Sequence, residues 1–179
     1  MSNTISKKAK IISTKTIYKS KWLTLRKDNF IKPDGSTASY EIVKRKNIVI
    51  VIPQVGKDLI FVEQYRYALD ERSLEFPQGF VEEDETPKDA ARREFEEEVG
   101  LKGSIIFLGE VCTSSGFLEQ KIYIFKGNNL VRGKQKLELT EKDLNVISLP
   151  LKTVKELAKN NKIKNAPTLA ALSLFLLNK

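Results

Sequence analysis

The sequence predicts an α/β (α+β) sandwich with a β-hairpin at the N-terminus. Three observations carry this expectation. Hydrophobic patterning shifts from strand-like to helical and back along the chain, without repeats or low-complexity segments. A chain of 179 residues can bury one core and still carry an appended element. No linker divides it, so residues 46–179 read as one domain and residues 1–45 as its β extension.

Residues 22–30 and 38–46 read as the strands of a hairpin joined by the turn Pro33-Asp34-Gly35. The apolar runs at 48–53 and 59–65 read as buried strands. A helix follows whose limits are written locally. Thr86 supplies a cap, Pro87 the first position, Asp89 an acid in the first turn, and Gly100 a left-handed end. Residues 105–112, 121–127 and 144–149 read as strands, and 151–160 and 167–177 as helices.

The formal net charge is +8, and its basic stretches lie at 7–21, 44–46 and 152–164. Such an excess attracts polyanions. The lysines are spread along the chain with few aromatics among them, so a phosphorylated small molecule is the expected partner and nucleic acid is not. The single Cys112 excludes an internal disulfide, and without histidine no Cys/His zinc cluster forms. The basic N-terminus lacks the apolar stretch of a signal peptide, and the apolar run at 169–177 is too short to span a bilayer. A soluble, cytoplasmic protein is expected.

From 79 to 101 the chain reads GFVEEDETPKDAARREFEEEVGL. Most acidic runs are solvated helix faces. Here Ala91, Phe95 and Val99 form an apolar stripe, and Ala90, Glu94 and Glu98 form the stripe beside it, so acids border the buried face. Glu94, Glu97 and Glu98 are helical neighbours whose carboxylates can converge. An oxygen-only cluster suits a hard cation, Mg2+ or Mn2+, and a cation bridging to phosphate oxygens would neutralise it.

This segment resembles the Nudix box: Gly79, five residues, Glu85, seven residues, Arg93-Glu94, an apolar residue, any residue, Glu97-Glu98, any residue, Gly100 and an apolar residue. The resemblance implies the Nudix fold, a mixed β-sheet sandwiched between helices, and metal-assisted attack of water on a nucleoside diphosphate derivative. It also implies Glu94, Glu98 and Glu97 as metal ligands with the Gln78 backbone carbonyl, Arg93 as the residue that orients them, and Glu85 as a tie between loop and helix. Arg66 and the turn Glu75-Phe76-Pro77 are similar to the ADP-ribose and ADP-sugar pyrophosphatase branch. An arginine there can hold two phosphate oxygens in a fork. The hairpin resembles the dimer-forming strands of that branch, which implies Trp22 and Tyr40 stacking on adenine with Arg45 nearby and an active site shared in a homodimer; the similarity includes residues 111–119, VCTSSGFLE, and implies Glu119 among the substrate-binding residues.

Three positions depart from the pattern. Gln78 stands for alanine, Ser115-Gly116 for Pro-Gly, and Lys142 where the branch has a loop glutamate, so Glu141 becomes the expected base with Asp143 behind it. Other substrates stay open: GDP-mannose, an oxidised nucleotide, or an RNA 5′ end, since Phe76-Pro77-Gln78-Gly79 is similar to RNA pyrophosphohydrolases. A non-catalytic nucleotide-binding module is the reading from another class.

Overall fold

The computed structural model describes residues 8–137 and 142–178. In chain order its elements are β1 (Lys10–Lys19), β2 (Thr24–Ile31), β3 (Thr37–Lys44), β4 (Ile48–Val55), β5 (Asp58–Arg66), β6 (Glu71–Glu75), β7 (Gln78–Phe80), α1 (Pro87–Val99), β8 (Leu101–Val111), β9 (Leu118–Glu119), β10 (Ile122–Arg132), β11 (Asn145–Pro150), α2 (Leu151–Lys159) and α3 (Ala166–Leu177). They fall into two units, residues 1–46 with 114–120 and residues 47–113 with 121–179.

Strand β4 organises the larger unit, because successive side chains on a strand point to opposite faces. Ile50 and Ile52 pack with Phe61, Phe76 and Ile124 against Val154 of α2 and Leu172 and Phe175 of α3. Val49 and Val51 face the other way and meet Ala90, Ala91 and Phe95 of α1. The main path of the sheet runs β11-β5-β4-β10-β8, with β6 on β5 and β7 on β4. β10 pairs parallel with β4, with Ile122 opposite Ile48, and antiparallel with β8. The sheet is therefore mixed and covered by helices on both faces, as the sequence predicts.

Helix α1 starts and stops where its caps place it. The Thr86 hydroxyl accepts the Asp89 amide at 3.2 Å, and Gly100 takes φ 64° while its amide donates to the Glu96 carbonyl.

In the smaller unit, β1, β2, β3 and β9 form one sheet. The β2–β3 pairing puts Ile31 opposite Thr37 around the expected turn. β9 joins from far along the chain, pairing parallel with β3 through Val43 and Leu118. Arg26 spans the unit, reaching Asp28 at 3.1 Å and Glu119 at 2.6 Å.

Four strands were not expected from the sequence. β1 is exposed along its whole length, so it carries no inside–outside signal. β6, β7 and β9 are short; β6 closes a hairpin on β5, while β7 and β9 rely on pairing partners remote in sequence. β8 begins immediately after Gly100, before the apolar run that marked it, because its first residues are ordered by pairing with β10. Among the described residues no helix is long and apolar enough to cross a membrane.

Phe95 is 1% exposed at the helix–sheet contact. Phe95→Ala is expected to lower stability by about 3–5 kcal/mol, read from the midpoint of urea unfolding.

Candidate functional site

The site is built on one face of α1 and the turn that precedes it, all within the larger unit. Glu94 and Glu98 lie on the stripe beside Ala90 and are 8% and 1% exposed. Carboxylates this deep require donors or a cation. Strand β7 approaches closely, and a Cβ at Gly79 would fall inside the Glu94 carboxylate. Any side chain there would have to displace that carboxylate. The Gln78 backbone N–H donates to Glu98 Oε2 at 2.9 Å.

Arg93 organises the acids around it. Its guanidinium donates to Glu85 at 2.6 and 3.2 Å, to Glu94 Oε1 at 2.6 Å, to Glu97 Oε2 at 3.1 Å and to the Phe80 carbonyl at 3.0 Å. Hydrogen bonding to Glu85, followed by the field of Glu94, raises the Arg93 pKa further above its ordinary value. In return Arg93 holds the Glu85 carboxyl below the usual carboxylate range, aided by the Glu82 amide. Glu85 thereby ties the loop before α1 to the helix.

A second charged pair lies on β5 and β6. Arg66 grips Glu75 in a fork, Nε to Oε1 at 2.8 Å and Nη2 to Oε2 at 2.5 Å, and Glu75 is 1% exposed. The Gln78 side chain joins them, its Nε2 donating to Glu75 Oε2. One network thus runs from Arg66 through Glu75 and Gln78 to Glu98.

The C-terminal end of α1 is clasped by residues after β10. The Gly133 amide donates to the Gly100 carbonyl at 2.7 Å, the Gln135 side chain to the Glu98 carbonyl at 2.7 Å, and the Lys136 amide to the Glu97 carbonyl at 2.9 Å. These carbonyls would otherwise lack intrahelical donors. Beside this clasp a cavity of about 230 Å³ is lined by Arg93, Glu96, Glu97 and Lys136.

The other expected site residues divide as follows. Glu141 lies outside the described residues. Asp143 accepts the Tyr65 amide at 2.9 Å and an Arg72 bond at 3.3 Å; the amide first, with help from Arg72, holds its pKa below the ordinary value. A carboxylate so held is a poor proton acceptor. In the smaller unit Trp22 is 56% exposed with the Lys21 ammonium 4.5 Å from its ring centre, and the Tyr40 hydroxyl donates to the Gly116 carbonyl. The Arg45 amide donates to the Glu119 carbonyl at 3.2 Å, and the Glu119 carboxylate pairs with Arg26 and with Lys44 at 3.4 Å.

Among the described residues no group of three or more acids stands at metal-holding distances. Glu94 and Glu97 both accept from Arg93 Nη1, and the Gln78 backbone N–H donates to Glu98. The donor set still fits a hard divalent cation: buried carboxylates and backbone oxygen, with no sulfur or imidazole. The sequence reading missed Glu75 and Gln135 as site residues. The burial of an acid beside Phe76 was the available signal for Glu75; Gln135 sits in a basic, polar run and had none.

A NUDIX domain model matches residues 44–172. The chain belongs to the Nudix family. Residues 10–43 match a nucleoside diphosphate sugar hydrolase N-terminal domain. This Nudix hydrolase is 30% identical over 171 residues to a methanol dehydrogenase activator of Bacillus methanolicus, covering 94% of this chain and 92% of that one. It is 29% identical to an ADP-ribose pyrophosphatase of Bacillus subtilis, with the same coverage. The crystal structure of an ADP compounds hydrolase superposes with a TM-score of 0.82 at 25% identity, over 94% of this chain and 92% of the other. Nudix hydrolases generally need a divalent metal cation.

The Glu85–Arg93 pair gives a pH prediction. Because the folded pKa of Glu85 is depressed, its contribution is complete above the ordinary carboxylate range and is lost as pH falls through the depressed value. Glu85→Gln is expected to cost roughly 1–3 kcal/mol at neutral pH and progressively less in acid. Urea unfolding across pH checks it, and a loss that does not shrink in acid contradicts the assignment.

Proposed function

We propose that this Nudix hydrolase cleaves the pyrophosphate bond of ADP-ribose or a related nucleoside diphosphate sugar, giving AMP and a sugar phosphate. The observation that carries the reading is the junction of two matches, a nucleoside diphosphate sugar hydrolase N-terminal domain over 10–43 and the NUDIX domain over 44–172. The names of the Bacillus subtilis relative and of the structural neighbour support it.

Glu94 and Glu98 with the Gln78 carbonyl are assigned to hold Mg2+, with Mn2+ as a substitute and Glu97 completing the set. When bound, the cation screens the diphosphate and stabilises the leaving oxygen. Arg93 keeps the carboxylates oriented, and Glu85 keeps Arg93 in place. Arg66, held by Glu75 through Nε and Nη2, is assigned to meet phosphate oxygens through the rest of its guanidinium. Water attacks one phosphorus, Glu141 accepts its proton, and the bond to the bridging oxygen breaks, so the second phosphate leaves with its sugar.

Residues 1–45 are assigned as a dimer-forming extension and 46–179 as the hydrolase domain. Trp22 and Tyr40 are assigned to stack on adenine, with Arg45 and Glu119 also contacting substrate. Both rings are about half exposed, which suits an aromatic surface awaiting a base. The cytoplasm is the proposed location.

With Mg2+, purified protein is expected to convert ADP-ribose to AMP and ribose 5-phosphate, measured by chromatography. Glu98→Gln should lower kcat by about a hundredfold or more while leaving the circular dichroism spectrum unchanged. A panel of sugar nucleotides, GDP-mannose and triphosphorylated RNA that all survive intact would sink the enzymatic reading. For the shared site, sedimentation at micromolar concentration should give a dimer, and Trp22→Ala should raise KM for adenine-bearing substrates roughly tenfold. A monomer with an unchanged KM would place Trp22 in packing alone.

A further inference from the structure

Gln78 stands where the resembling branch carries alanine, and its side chain occupies a place that alanine leaves open. Glu75 Oε1 accepts from Arg66 Nε, while Oε2 accepts from Arg66 Nη2 and from Gln78 Nε2. That third donor stops the carboxylate from turning about its bond, and with it the guanidinium it holds. An ionised carboxylate only accepts, so the amide nitrogen must face Glu75 and Oε1 is turned the other way. There Oε1 is buried with no hydrogen-bond partner among the described residues. A buried acceptor without a donor costs stability that alanine would not forgo. Such local violations concentrate where function requires them.

We infer that Gln78 is a positioning residue, whose carboxamide fixes Glu75 and through it sets the Arg66 guanidinium to meet the substrate diphosphate in one orientation. The backbone of the same residue holds Glu98, so one residue sets both ends of the site. The ligand named here rests on the diphosphate reading above.

The test uses Gln78→Ala and Gln78→Met, which keep the backbone N–H on Glu98. Both should raise KM for ADP-ribose and the calorimetric Kd for α,β-methylene-ADP roughly three- to tenfold, a larger change than in kcat. In an Arg66→Ala background the same change should add nothing, since both act through one contact. In ligand-free protein the Nε–H resonance of Arg66, assigned by its loss in Arg66→Lys, should shift in both variants. An unmoved resonance, or full additivity with Arg66→Ala, overturns the inference. Wild-type protein inert toward every nucleotide overturns the diphosphate reading instead, and the resonance then decides the role of Gln78 alone.

Discussion

Two glutamates, Glu94 and Glu98, are folded almost out of reach of water on the face of a helix that also packs against the sheet. Burying charge is tolerable only where donors or cations meet it. The rest of the site follows from that requirement. A side chain at Gly79 would displace the Glu94 carboxylate, Arg93 stands among three carboxylates, and the Gln78 backbone N–H donates to Glu98. The same helix carries Ala91 and Phe95 into the core, so the charged stripe cannot rotate away without breaking the packing.

The site has two poles joined by hydrogen bonds. One is the acid cluster of α1, the other the fork of Arg66 on Glu75, and Gln78 lies between them on β7. Strand pairing fixes their separation: β7 lies on β4, and β6 pairs with β5 so that Arg66 and Glu71 are opposite each other. A diphosphate with its counter-cation needs both kinds of charge, carboxylate for the metal and guanidinium for phosphate oxygens.

Helix α1 was legible in the sequence to the residue, because Thr86, Pro87 and Gly100 mark its ends by local chemistry. The core strands were legible because β4 from Val49 to Ile52 and β5 from Leu59 to Val62 are unbroken buried apolar runs. β1 was not, since an exposed strand has no burial pattern and its order comes from its ladder with β2. At the site the acids and Arg93 were visible from spacing. The partner of Arg66 was not: Asp70 and Glu71 are nearer in sequence and the hairpin sets Glu71 opposite it, yet the long Arg66 side chain reaches back along the strand pair to Glu75, which lies opposite Val62. The clasp by Gln135 depends on a contact with Glu98 from far along the chain, which no local pattern encodes.

Residues 114–120 leave the strands of the hydrolase unit and become part of the N-terminal sheet, with β9 paired to β3 and Glu119 held by Arg26 and Lys44. The boundary between the units is therefore crossed more than once by the backbone. Cutting the gene at the codon for residue 46 would not release a finished domain. It would strip β9 of its neighbouring strand, leave Glu119 without either cation, and present an unpaired edge to other chains. The N-terminal sheet takes one strand from a segment far along the chain and is therefore not a detachable tag.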